Sequence, residues 1–80
     1  MYSRPYIKKV DHETVGNSFK ERRVAAGLTQ EETARRIGVT RQTVIAIEKG
    51  NYVPSVLLSL RSAKVFACSV EDIFHVELSR

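Results

Sequence analysis

Apolar positions recur along this chain in short runs three or four residues apart, and residues that start or stop helices bound each run. Val15, Phe19 and Arg23 fall four apart and Gly27 follows, which predicts a first helix starting between Asp11 and Thr14 and ending at Ala26. Leu28 then packs the corner. Thr29 precedes Gln30-Glu31-Glu32, the spacing of a capping box, so a second helix opens there with Ala34 and Ile37 on its inner face. Gly38 stops it, and Thr40 caps a third helix that runs to Gly50 with Val44 and Ile47 inside. Pro54 keeps Val53 out of helical angles, so Asn51–Pro54 reads as a loop. Ser55 opens a fourth helix, for which Val56, Leu60, Ala63 and Phe66, joined by Leu58, form the expected inner stripe, with Leu57 and Val65 pointing elsewhere. Ser69 opens a short last helix, Val70 to Phe74, with Glu71 and Asp72 in its first turn. The ends are less patterned. Tyr6 to Val10 fits either a short edge strand or an unstructured basic arm, and HVELSR (75–80) either a strand or a frayed tail.

The expectation is an all-α domain of five short helices, compact, with short terminal β-strands as an addition. It divides into an N-terminal arm (1–13), a helical domain (14–74) and a C-terminal tail (75–80). Only Gly38 and Val39 separate the second and third helices, which forces a sharp corner rather than a long hairpin. The third helix then turns Arg41, Gln42, Ile45, Ala46 and Lys49 outward. A helix of this size fits the major groove of DNA, and Arg41, Gln42 and Thr43 carry groups that hydrogen-bond to base edges.

Composition narrows the partner. Eighty residues make one small domain that buries only about 60% of its unfolded surface, so dimerisation would relieve a thin core. The net charge is +4. Residues 1–50 hold ten Lys or Arg against six Asp or Glu, and residues 51–80 three against three, so the excess sits with the arm and the helix pair. That placement suits a polyanion. The single Cys68 makes no internal disulfide, which fits a reducing compartment, and no apolar run reaches membrane-spanning length or resembles a signal peptide. A cytoplasmic protein is expected. No glycine-rich phosphate loop, zinc signature or nucleophile elbow occurs, and His12 and His75 lack ligand spacing with Cys68. Enzymatic activity, a cofactor, a metal and a small-molecule ligand are therefore not expected.

Each outward residue has a chemical use. The planar fork of Arg41 matches guanine O6 and N7, Gln42 matches adenine N6 and N7, Thr43 reaches a phosphate or a thymine methyl, and Ile45 seats against thymine methyls. Gln30 has an amide donor beside the open amides of a helix start, a phosphate site. Lys49 and Asn51 are further phosphate candidates. Lys8 and Lys9 suit either a minor-groove arm or a dimer strand.

With Val15-Gly16, Arg23, Gly27-Leu28-Thr29-Gln30, Ala34, Gly38-Val39-Thr40, Ile47-Glu48, Gly50, Pro54-Ser55 and Val70-Glu71-Asp72-Ile73-Phe74 in register, the chain resembles the helix-turn-helix family of Cro and phage repressors. The likeness covers roughly residues 14 to 74. It implies a lambda-repressor-like five-helix domain whose third helix lies in the major groove. Arg41, Gln42 and Ala46 match positions that read bases, and Gln30 matches one that touches phosphate and steadies the first reading residue. Lys49-Gly50-Asn51 matches a loop whose amides approach phosphate, and Arg23 with Glu48 a partly buried ion pair. Glu48 as a repulsive brake on phosphate is the rival reading. Position 45 is commonly polar in such helices, and Ser62 and Cys68 stand where larger aliphatics are usual.

These readings converge on a sequence-specific, double-stranded DNA-binding transcriptional regulator, a repressor, acting as a homodimer on a two-fold related operator. The alternative is a protein-interaction module, an antitoxin or co-regulator, in which DNA binding is secondary.

Overall fold

Ser and Thr caps set the beginnings of most elements in the computed structural model, which describes residues 13–78. A strand, β1 (Glu13–Asn17), leads into α1 (Phe19–Ala25), followed by α2 (Gln30–Ile37), α3 (Arg41–Glu48), α4 (Val56–Phe66), a single helical turn α5 (Val70–Ile73) and a second strand, β2 (Phe74–Leu78). Four helices of seven to eleven residues and one four-residue turn thus carry a two-stranded sheet. At Thr29 the capping box is complete: its hydroxyl accepts from the Glu32 amide at 3.0 Å, and the Glu32 carboxylate accepts from the Thr29 amide at 2.9 Å. Ser69 and Asp72 repeat the arrangement at α5. Thr40 and Ser55 cap α3 and α4 through the amides of Thr43 and Leu58.

The first helix differs from expectation. Glu13–Asn17 pairs antiparallel with β2, Val15 facing Val76 and Asn17 facing Phe74, so α1 starts only at Phe19. Two features end the strand there. The Asn17 side-chain oxygen accepts from the Phe19 amide at 3.0 Å, and the Ser18 amide donates to the Ile73 carbonyl at 2.7 Å. A side chain at Gly16 would meet His75 Nε2 at 2.5 Å and Glu77 Oε1 at 2.6 Å, because both β2 side chains lie over that glycine. The tail is a strand as far as Leu78, and Tyr6–Val10, Lys8, Lys9 and His12 lie outside the described residues.

Phe19, Ala34, Ile37, Val44, Ile47, Leu58, Ala63, Phe66 and Ile73 form the core, one or more from every helix. Phe19 meets Phe66 edge-on, ring centroids 5.1 Å apart. The inner stripe of α4 is Leu58, Ser62, Ala63 and Phe66, with Val65 partly buried against it; Val56 and Leu60, expected inside, are exposed. Ser62 is tolerated there because its hydroxyl donates to the Leu58 carbonyl at 2.7 Å.

Two outcomes test this framework. Ala67 closes α4 in the left-handed region (φ 57°), where a Cβ is costly, so Ala67→Gly should raise stability by about 0.5–1 kcal/mol in a chemical melt. Glu32 and Asp72 are held below their ordinary values of 4.5 and 3.8, first by the backbone amides of Thr29 and Ser69 and then by those residues' hydroxyls. A depressed carboxylate contributes stability above its ordinary value and loses it as pH falls through the folded one. The Glu32→Gln, Asp72→Asn double variant should therefore show a shallower loss of melting temperature on acidification below about pH 4.5 than the parent.

Candidate nucleic-acid interface

The third helix is divided sharply between an inside and an outside. Val44 and Ile47 are fully buried, while Arg41, Gln42 and Lys49 are exposed and Thr43, Ile45 and Ala46 half-buried. At 3.6 residues per turn, Arg41, Ile45, Lys49, Gln42 and Ala46 share an arc of about 140°. Asn51 is exposed just beyond it. Two cations and one amide therefore flank a shallow apolar strip made by Ile45 and Ala46. Thr43 stands apart, its hydroxyl 3.3 Å from that of the Thr40 cap.

The one carboxylate of α3 is turned away from this edge. Glu48 Oε2 accepts from Arg23 Nε at 2.6 Å, and the two side chains are only 6% and 10% exposed. Arg23 also donates through Nη1 to the Leu28 carbonyl at 2.8 Å, which binds α1 to the α1–α2 corner. Gln30 Nε2 donates to Glu48 Oε1 at 3.1 Å. Three helices thus meet on one neutralised carboxylate, and the outward edge of α3 carries positive charge alone. A repulsive brake at Glu48 would need an exposed carboxylate, and this one is enclosed.

Gln30 differs from what the resemblance implied. Its amide rests on the last turn of α3, at Glu48, rather than on Arg41 at the first. The loop amides differ too. Those of Lys49, Gly50 and Asn51 donate to the carbonyls of Ile45, Ile47 and Ala46, so only the side chains of Lys49 and Asn51 remain to meet a ligand.

Two positioning residues escape a reading of sequence. Asn17 donates its amide to the Ile47 carbonyl at 2.9 Å, tying β1 to the end of α3. Arg61 Nη1 donates to the Ile37 carbonyl at 3.2 Å, closing the end of α2 just before the turn. Gly38 makes that turn with φ 82°, and a Cβ there would come within 3.0 Å of the Arg61 guanidinium. Asn17 sits in an apparent helix, and Arg61 looks like a surface cation on α4. Only the tertiary arrangement gives either one a partner.

Residues 19–73, more than two thirds of the chain, match the helix-turn-helix family. The chain belongs to the helix-turn-helix family of Cro and phage repressors. Its relatives include the uncharacterized HTH-type transcriptional regulator YgzD of Bacillus subtilis, 52% identical over 61 residues that cover 76% of this chain and 92% of that protein. An HTH-type transcriptional regulator of Methanocaldococcus jannaschii is 51% identical over 61 residues, with the same coverage. Another, from Methanothermobacter thermautotrophicus, is 55% identical over 57 residues, 70% of this chain and 83% of its own. Within the helix-turn-helix unit, α2 and α3 are the supporting and outward helices; Gln30 holds α3 against α2, while Arg23 and Asn17 hold it against α1 and β1.

Breaking the buried pair should be costly. Glu48→Ala leaves the Arg23 guanidinium enclosed without its anion and is expected to lose about 3–5 kcal/mol of stability. Urea unfolding measures this, and a midpoint unchanged within error would remove the pair from the account.

Proposed function

We propose that this helix-turn-helix protein is a sequence-specific, double-stranded DNA-binding transcriptional regulator, a repressor, working in the cytoplasm as a homodimer on a two-fold related operator. The observation that carries the reading is the outward edge of α3, with Arg41, Gln42 and Lys49 exposed at its two ends, Ile45 and Ala46 half-buried between them, and no free carboxylate. The relatives named as transcriptional regulators support it. Among the described residues no helix is long and apolar enough to cross a membrane.

In this proposal α3 enters the major groove. Arg41 takes guanine O6 and N7 in a bidentate contact, worth about 1–3 kcal/mol of discrimination, and Gln42 takes adenine N6 and N7. Ile45 and Ala46 lie against thymine methyls, which a dry apolar strip favours over the polar edge of cytosine. Thr43 shares its hydroxyl between the cap and a nearby phosphate. Lys49, Asn51 and the free part of the Gln30 amide meet the backbone, setting register without reading sequence. The second subunit repeats these contacts about 34 Å away, one helical turn along the duplex. Repression follows from occupancy of a site that the transcription machinery needs.

Selection of bound duplexes from a random pool tests the reading. Enrichment of a symmetric motif that binds two chains, with affinity falling steeply as salt rises, is the expected result. An unenriched pool with salt-insensitive binding of another protein would favour the interaction-module alternative. Arg41→Ala should lower affinity for the selected duplex about tenfold or more, and that for a scrambled duplex far less. Equal losses on both would assign Arg41 to phosphate alone.

A further inference from the structure

We infer that the middle of the outward edge of α3, Ile45 with Ala46, reads the C5-methyl group of a pyrimidine rather than the base that carries it. A 5-methylcytosine is then taken there as thymine is, and cytosine methylation of the DNA raises affinity. The inference rests on the DNA-binding reading proposed above and adds to it a second, modified form of the ligand.

Ile45 and Ala46 are apolar without being core. Val44 and Ile47 beside them are fully buried in it, and Val39, Val65 and Val70 are partly buried hydrophobics that pack against it. Among the described residues, Ile45 and Ala46 belong to neither group, although both are half-buried. Ile45 lies one helical turn from Arg41 and one from Lys49 on the same arc, so an aliphatic side chain occupies the centre of a charged edge. Its placement is firm. The branch at Cβ gives an isoleucine in a helix one strongly preferred rotamer. The backbone beneath it is held by Val44 and Ile47 in the core and by Asn17, which donates to the Ile47 carbonyl at 2.9 Å.

The chemistry follows from what these two side chains lack. Neither carries a donor or an acceptor, so neither separates the O4 of thymine from the N4 amino group of cytosine through a hydrogen bond. What an apolar contact senses in the major groove is the substituent at C5. That substituent is a methyl in thymine, a hydrogen in cytosine, and the same methyl in 5-methylcytosine. The polar readers act on neighbouring bases. A helical turn advances about 5.4 Å and stacked bases lie about 3.4 Å apart, so a pyrimidine under Ile45 falls roughly one or two steps from the pair that Arg41 reads. Methylating that pyrimidine leaves the other contacts in place and adds apolar surface to be buried. One such group is worth about fourfold in affinity.

The test is fluorescence anisotropy of the full chain at fixed salt on the duplex recovered by selection. Each pyrimidine of the site is presented in turn as thymine or deoxyuridine opposite adenine, and as cytosine or 5-methylcytosine opposite guanine. At one position wild type should prefer thymine to uracil about fourfold, and at that same position 5-methylcytosine to cytosine by a similar factor. Each preference is a ratio within one variant, so a general weakening of binding cancels. Ile45→Ala should bring both ratios close to unity and Ile45→Val should keep them, with helical circular dichroism unchanged in both. A preference for thymine over uracil without one for 5-methylcytosine over cytosine would overturn the inference, because the whole base is then being read. So would wild-type ratios near unity at every position, or ratios that survive Ile45→Ala, which would assign the methyl to another side chain. Steep salt dependence on the selected duplex with no methyl preference refutes this inference and spares the DNA-binding reading. A pool from which no duplex is enriched removes both.

Discussion

The Arg23–Glu48 pair holds the rest of the arrangement in place, because it lets a helix that turns Arg41 and Lys49 outward carry an enclosed carboxylate at its end. Arg23 rises from α1, reaches the Leu28 carbonyl at the corner before α2, and meets Glu48 on the last turn of α3. Gln30 reaches the same carboxylate from the first turn of α2. Such a pair stabilises little compared with an apolar substitute of equal shape, since both charges must leave water. Its value is in geometry. The directional fork of an arginine, closest to one oxygen, with Gln30 donating to the other, permits few orientations of α3 against α1 and α2. The charge left facing outward then belongs to Arg41 and Lys49.

Other contacts fix the same helix from other sides. Val44 and Ile47 anchor it in the core, and Asn17 holds the Ile47 carbonyl near its end. Arg61 and the left-handed Gly38 set the corner at its start. A helix of eight residues has little stability of its own, so these tertiary anchors determine where its outer edge lies. A stiff edge suits base readout, in which a bidentate contact tolerates little error in position.

How far these features were legible in the chain depended on whether their causes were local. The bounds of α2 and α3 were readable because Thr29, Glu32, Gly38 and Thr40 act within a few residues of one another. The strand Glu13–Asn17 was not. Val15, Phe19 and Arg23 imitate a helical repeat, while the partner that makes the segment a strand lies about sixty residues away at Phe74–Leu78. In α4 the apolar residues fall on both faces, so periodicity alone could not separate the core stripe from the exposed one. Ser62 on the inside misled further, since its hydroxyl finds the Leu58 carbonyl and needs no water. For the interface, the outward set of α3 followed from helical spacing. The roles of Asn17 and Arg61 rest on contacts 30 and 24 residues away along the chain and leave no trace in local pattern.

The most direct measurement of the central claim is a map of amide chemical-shift changes on titrating the protein with its selected duplex. The account predicts that the changes concentrate at Arg41, Gln42, Ile45, Ala46, Lys49 and Asn51, with Gln30 at the edge and the exposed side of α4 quiet. Changes centred on α1 or on the sheet, with α3 unmoved, would contradict it.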